Sequence, residues 1–440
     1  MLDARRGLVY RETRFVVSDQ VTGVSHMRRT SIALFCLIML AAAEAIPAAN
    51  PTFRISIDAE MWRKFGCRYP ATYVFHVPGG SREFKASRRD APGDPWTPLD
   101  RRGPNDLFNG QECVRYDAEA ERAYVSVGFR SAPTIHLEFS GAGQVEFVEI
   151  ARYYDGRKAA YSLSLDNWGF RATANPGAAW QGADDDRSDK YQAALAVCRS
   201  QGLPVSIAIN TRSAGTEPFW QTLQAELDRG DRSWEPAVHA ETHPCSAAAY
   251  AVRGYRSEIL GCRDELLARL KNIPWGQHIF EHILTCGYQD ASLLATSAEQ
   301  FLFVRGYNSH DNPESVDYAS WNAEHGFYGV GGLSYKAYDA VFQGRKPAGR
   351  YWREDVEALD GAFERVIDAG QIFYAMWHPD RYQNSVIHDS RPPIEAVQGS
   401  SLVQHLAHIA GRKDVWYVAN GWLYCYRYVA QHARVVREEG

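Results

Sequence analysis

The chain has no C-x-x-C pair, no stripe of clustered Lys and Arg, no internal repeat and no low-complexity tract. Without a C-x-x-C, a zinc site built from thiolates is disfavoured. A formal net charge of only -5 over 440 residues, with no basic stripe, argues against nucleic acid as a partner. The absence of a period excludes solenoids and propellers. Long apolar runs are also missing. Met27–Pro47 comes nearest, with two arginines, an apolar run of about ten residues and an A-x-A ending at Ala43-Glu44-Ala45. That is the form of a secretory signal peptide and too short for a comfortable membrane span; a tethering helix is the alternative. We expect a secreted or periplasmic protein with no stable membrane span once residues 27–45 are removed. Residues 1–26 read as an upstream extension before the true start.

Cysteine is sparse, at 8 residues, and Cys36 lies in the signal segment. Cys67, Cys113, Cys198, Cys245, Cys262, Cys286 and Cys425 remain, so at least one is free. Cys67 with Cys113, and Cys245 with Cys262 or Cys286, are candidate pairs in an exported protein, though spacing does not settle connectivity.

What is present suits a large globular core: 45% hydrophobic residues and 12% aromatic. The 12 Trp and 24 Tyr can stack on sugar rings, but filling a β-rich core is the default reading. From Phe53 to Ile150 the sequence shows short alternating runs such as Thr134-Ile-His-Leu-Glu-Phe139, broken by Gly, Pro, Asn and Asp, with no convincing helix. Residues 50–155 therefore read as an all-β, Ig-like sandwich.

After Arg157 strands alternate with helices, which means a parallel sheet or barrel over residues 157–432. Predicted strands are Ala159–Leu165, Leu203–Ile209, Gln277–Leu284, Phe301–Val304 and Gln371–Trp377. Predicted helices are Ser188–Gln201, Glu217–Asp228, Tyr255–Lys271, Ser292–Gln300 and Arg353–Ala369. Asp166, Asn167, Arg305 and His378 stand just past strand C-terminal ends, where (β/α) barrels place their sites. Each alone is also an ordinary turn residue. Between them, Trp234–Cys245 carries His239 and His243 four apart, a spacing that can set two imidazoles on one divalent cation. His278 and His282 repeat the spacing on a predicted strand and, with His310, read as structural.

Ser164-Leu-Asp-Asn-Trp168, His239-Ala-Glu-Thr-His243 and Tyr374-Ala-Met-Trp-His378 together resemble three motifs of the polysaccharide deacetylase (NodB-homology, carbohydrate esterase family 4) proteins: T-F-D-D-G, H-[ST]-x-x-H and L-x-I-x-L-H. The resemblance covers about Ala159 to Val429. It implies a distorted (β/α)7-type barrel and metal-dependent removal of N- or O-linked acetyl groups from a polysaccharide or cell-wall glycan. Asn167, His239 and His243 would be the metal ligands, and the metal would be Zn2+. Asp166 would be the general base and His378 the general acid, with Asp380 a neighbour able to hold its charge. Trp168, Tyr307, Trp377 and Arg305 are candidate substrate contacts, the aromatic rings being equally good core residues.

The departures are specific. Asn167 replaces the usual second Asp, and a neutral amide is a weaker ligand. Ala240 replaces the Ser or Thr after the first His. No R-x-P-Y-G or D-S-x-D-W motif is present, and Leu284-Thr-Cys-Gly287 occupies the place of the first, so Arg305 becomes the candidate to orient Asp166. Two alternatives follow: a catalytically weak or inactive glycan-binding protein on the same barrel, or another amide or ester hydrolase.

Overall fold

The computed structural model describes residues 50–79, 83–169, 188–214, 216–307, 318–333, 352–377, 379 and 401–438. Residues 1–49, which include the candidate signal segment, lie outside them. Ala49–Gly440 forms one compact unit. No helix among the described residues is long and apolar enough to cross a membrane.

The alternating N-terminal runs form two five-stranded sheets. The first runs in the order Arg434–Glu438, Thr52–Ser56, Thr134–Ser140, Lys85–Arg89, Thr97–Pro98. The second runs Asp100–Arg102, Cys113–Asp117, Arg122–Val127, Ala71–His76, Glu146–Ile150. Period-two alternation turns Phe53, Ile55, Leu137 and Phe139 inward from one sheet and Phe75 from the other. Phe75 meets Phe53 and Phe139 with ring centroids 4.9 and 4.8 Å apart.

Two features were not expected. Ala59–Phe65 is a helix inside the β-rich segment. The Asp58 side chain accepts from the Glu60 and Met61 amides, both at 2.9 Å, and Gly66 closes the helix at φ +70°. An Asp cap and a Gly stop are readable signals, but seven residues are too few for a clear helical period. The chain also returns: Arg434–Glu438 pairs antiparallel with Thr52–Ser56, with Phe53 opposite Arg437.

The remaining strands build a nine-stranded sheet. Its order is Trp321–Asn322, Phe327–Leu333, Phe303–Tyr307, Glu281–Ile283, Trp234–Val238, Val205–Ile209, Ala159–Trp168, Ile372–Trp377, with Val415–Tyr417 also pairing with Ala159–Trp168. All pairings are parallel except the Trp321–Asn322 edge. Among the described residues the ladder is an open path, not a closed ring. Helices Ser188–Ser200, Glu217–Asp228, Ala291–Ala298 and Trp352–Asp368 fall where the apolar periodicity predicts them. Tyr255–Lys271 instead splits into a π-helical turn, Ser257–Gly261, and an α-helix, Cys262–Arg269. The Gln277–Leu284 strand shortens to Glu281–Ile283.

Ala159–Trp168 is buried on both faces along its whole length. Tyr161, Leu163 and Leu165 join the apolar core, while alternation puts Ser162, Ser164 and Asp166 on the opposite face. That face meets a polar column. The Ser162 hydroxyl lies 2.7 Å from the Val418 carbonyl and 2.6 Å from Asn420 Oδ1, and Asn420 Nδ2 donates to Glu281 Oε1 at 2.8 Å. Glu235 accepts from Tyr69 at 2.8 Å, from Ser206 at 2.9 Å and from the Gly421 amide. Asn420 and Gly421 open the Asn420–His432 helix, so a helix N-terminus faces a buried carboxylate. The column thus ties Tyr69, just before the Ala71–His76 strand of the second sheet, to the interior of the parallel sheet.

A Cβ on Gly421 would lie 2.6 Å from Glu235 Oε1, and the carboxylate is held by three donors. Gly421→Ala is expected to cost about 1–3 kcal/mol as overpacking, read as a lower thermal midpoint. Gly143→Ala, with nothing within 4 Å of the added carbon, should leave the midpoint unchanged.

Candidate functional site

Between Leu165 and Trp168 the pairing with Val205–Ile209 slips, and Asn167 adopts φ +77°. A bulge of this kind re-aims side chains, and Asn tolerates the left-handed region better than most residues. Asp166 and Asn167 stand on this bulge. Tyr191 donates its hydroxyl to the Asp166 carbonyl, which helps hold the bulge in place.

Asp166 is 0% exposed and paired with Arg305, which is also 0% exposed. The same Arg305 nitrogen donates to Ser164 Oγ at 3.0 Å. Asp166 Oδ2 has no hydrogen-bond partner among the described residues. Glu281, on the strand beside Arg305, is buried as well. Burial pushes its carboxyl up to about 8; Arg305 opposes the rise, and Glu235 and Asp166 add to it. Glu281 therefore holds its proton at neutral pH.

The two histidines come from the end of the neighbouring strand. His239 follows Val238, and its amide donates to the Ile209 carbonyl at 3.0 Å. Ala240 and His243 take left-handed φ values of +62° and +64°. Asn210, at the end of Val205–Ile209, clamps that turn by donating to the carbonyls of His239 and, at 3.1 Å, Ala240. On the far side Glu258, within the π-helical turn, accepts from Thr242 N at 2.9 Å and Thr242 Oγ1 at 2.7 Å. His239 Nδ1 lies 2.8 Å from the Ile283 carbonyl. A carbonyl only accepts, so Nδ1 carries the proton and Nε2 keeps its lone pair. The His239 and His243 rings stand 4.8 Å apart at 74°, both buried.

Asn167 is the residue whose surroundings leave most unexplained. It is 1% exposed, yet neither Oδ1 nor Nδ2 has a hydrogen-bond partner among the described residues. Register places it beside the histidine turn: Asn210 N donates to the Trp168 carbonyl at 3.0 Å, and Asn210 in turn holds His239. A buried amide without partners costs about 1–3 kcal/mol. A divalent cation on Asn167 Oδ1 and the two imidazoles would supply the missing partner, so the donor set suits a metal.

No family model matches the chain, and no curated protein matches it. Among solved structures, a Mycobacterium smegmatis protein described as a polysaccharide deacetylase aligns with 65% of this chain and 96% of its own, at TM-score 0.45 and 14% identity. A chitin deacetylase from the fungal pathogen Colletotrichum lindemuthianum aligns with 61% of this chain and 87% of its own, at TM-score 0.35 and 9% identity. A CE4 family pseudoenzyme from Bacillus anthracis aligns with 63% and 69%, at TM-score 0.33 and 12% identity. The structural neighbours of the chain are thus polysaccharide deacetylases, a pseudoenzyme among them.

Several sequence expectations are corrected by burial. Trp168 stacks on Tyr191 at 5.1 Å inside the apolar core, and Trp377 is 1% exposed in the same core, so neither offers a face to a sugar. Arg305 is too deep to touch substrate and instead holds Asp166. Tyr307 ends its strand, and its side chain lies outside the described set, as do His378, Asp380 and His310. His282 is neutral and structural: burial lowers it to about 3, and Nδ1 lies 2.8 Å from Ser297 Oγ. Cys245 pairs with Cys286, whereas Cys67 and Cys113 are both free and buried. Asn210, Glu258 and Ser164 were missed, although Asn210 occupies a strand end just as Asp166 does.

Glu281 generates a pH prediction. Its folded value lies above the ordinary one. The stability it lends is therefore complete below the ordinary glutamate range and is lost as pH rises toward 8. Glu281→Gln removes that loss. Between pH 5 and 8 the variant should gain on the parent by at most about 1.4 kcal/mol per pH unit, read from thermal midpoints at the two pH values.

Proposed function

We propose that this protein is a secreted or periplasmic, metal-dependent hydrolase that removes acetyl groups from a polysaccharide or cell-wall glycan. In this reading the open parallel sheet is part of a distorted (β/α)7-type barrel, residues 157–432, and the first two sheets are an Ig-like sandwich, residues 50–155. The observation that carries the reading is the buried, partnerless Asn167 amide beside the His239–His243 turn. Asn167, His239 and His243 would hold the ion, zinc fitting two imidazoles and an oxygen best.

Once bound, such an ion supplies a water of lowered pKa and a polarised acetyl carbonyl. The chain's own groups do the rest. Asp166 Oδ2, the oxygen that Arg305 leaves free, accepts the proton of the attacking water. Arg305 and Ser164 fix the carboxylate so that Oδ2 keeps one direction. His378 returns a proton to the departing nitrogen or oxygen of the sugar. The buried surroundings exclude bulk water and strengthen each of these interactions.

The neutral Asn167 ligand favours a second reading, a weakly active or inactive glycan-binding protein, because an amide holds a divalent ion less firmly than a carboxylate. Metal analysis with acetate-release assays on chitin oligomers, peptidoglycan and acetylated xylan separates the two. The parent should retain about one ion per chain, and His239→Ala should lose it. Asp166→Asn should keep the ion and lose about 10²–10⁴-fold in acetate release. A parent that takes up no Zn2+, Co2+ or Ni2+ contradicts the hydrolase reading.

A further inference from the structure

Beside the proposed ligand set stands a second cluster that shares only His243 with it. A His243 ring nitrogen, Cys245 Sγ and Cys286 Sγ lie within 4.8 Å of one another. Cys245 Sγ is 3.6 Å from His243 Nδ1. The two sulfurs form a disulfide spanning 41 residues, and both cysteines are exposed. The five other described cysteines are free and buried, so this pair is the one a solvent reductant meets.

The loops carrying the pair are also joined without sulfur. Thr285 donates to the Pro244 carbonyl, the Tyr250 hydroxyl lies 3.1 Å from Thr285 Oγ1, and His239 Nδ1 lies 2.8 Å from the Ile283 carbonyl. Breaking the S–S bond therefore leaves two thiols still facing each other and the His243 ring. Two thiolates and one imidazole are a ligand set for a thiophilic divalent ion, with one position left for water.

We infer that His243, Cys245 and Cys286 form a second, redox-gated site for a zinc-like divalent cation. A dithiol delivers two electrons and two protons to the disulfide. The S–S bond breaks, two cysteine thiols form, and the reductant leaves as its cyclic disulfide. Cation binding then releases two protons to solvent and makes two sulfur–metal bonds and one nitrogen–metal bond. A neutral His243 imidazole offers one lone pair and so ligates one ion at a time, and two thiolates outcompete a neutral amide for such an ion. Reduction thus moves the ion away from Asn167. That consequence, unlike the site itself, rests on the hydrolase reading above.

The test is Co2+ binding to the full chain, oxidised and dithiol-reduced, followed by absorption spectroscopy. The expected result is a thiolate-to-cobalt charge-transfer band in the reduced protein only. The band should be weaker in Cys286→Ser and absent in the Cys245→Ser/Cys286→Ser double variant. Alkylating the two exposed thiols of reduced parent protein should abolish it too, which covers a double variant that folds poorly. Reduced protein that binds Co2+ without the band, or a band that survives in the double variant, overturns the inference. Acetate release measured on the same samples separates the two claims. A reduced-state band in a protein whose oxidised form releases no acetate supports the thiolate site while removing the hydrolase reading.

Discussion

Arg305 and Asp166 are both sealed from solvent, and each is the other's neutralising partner. Leaving either charge alone at such depth costs about 3–5 kcal/mol, so the two strand ends that carry them must stay in register. Arg305 reaches across the sheet interior, from a strand four places away from Ala159–Trp168 in the ladder order. The strands between them deliver His239 and Asn210 at the same level. Below it the column of Glu281, Asn420, Ser206, Glu235 and Tyr69 continues the polar interior down to the N-terminal sheets. A charged pair can persist inside the fold because the groups beneath it are hydrogen-bonded to one another rather than left orphaned.

Local backbone strain collects around the same level. Asn167, Ala240, His243 and Cys286 all sit at positive φ, and none is glycine. Such positions cost on the order of 1 kcal/mol or more each and survive only where their surroundings over-determine them. Here those surroundings are identifiable. Tyr191 fixes the bulge at Asp166, Asn210 and Glu258 grip the histidine turn from either side, and the Cys245–Cys286 bond and Thr285 hold its far end. The bulge and the turn are thus each held by hydrogen bonds or a disulfide from neighbouring elements, which is what a preorganised site requires.

The long alternating strands and the amphipathic helices were legible from periodicity, and Glu217–Asp228 falls on its expected bounds. The placement of the candidate site residues at strand ends was legible too: Asp166 and Asn167 end one strand, and His239 follows the strand two places along the same sheet. What stayed hidden depends on long-range pairing. The return of Arg434–Glu438 to Thr52–Ser56 carries no local signal. Neither does the depth of Trp168 and Trp377, whose rings read equally well as sugar platforms or core until their neighbours are known. Arg305 was recognisable as a strand-end cation, but only the topology shows that it is spent on Asp166 rather than on substrate. Asn210 and Glu258 look like a turn residue and a helix-surface acid until the loop folds between them.

The central claim is that Asn167, His239 and His243 share one metal ion. Anomalous diffraction from crystals of the oxidised protein grown with Zn2+ tests it most directly. The account predicts a single strong peak within about 2.0–2.3 Å of an Asn167 oxygen and one nitrogen of each histidine. A peak elsewhere, or none at these three residues with the ion in excess, contradicts it.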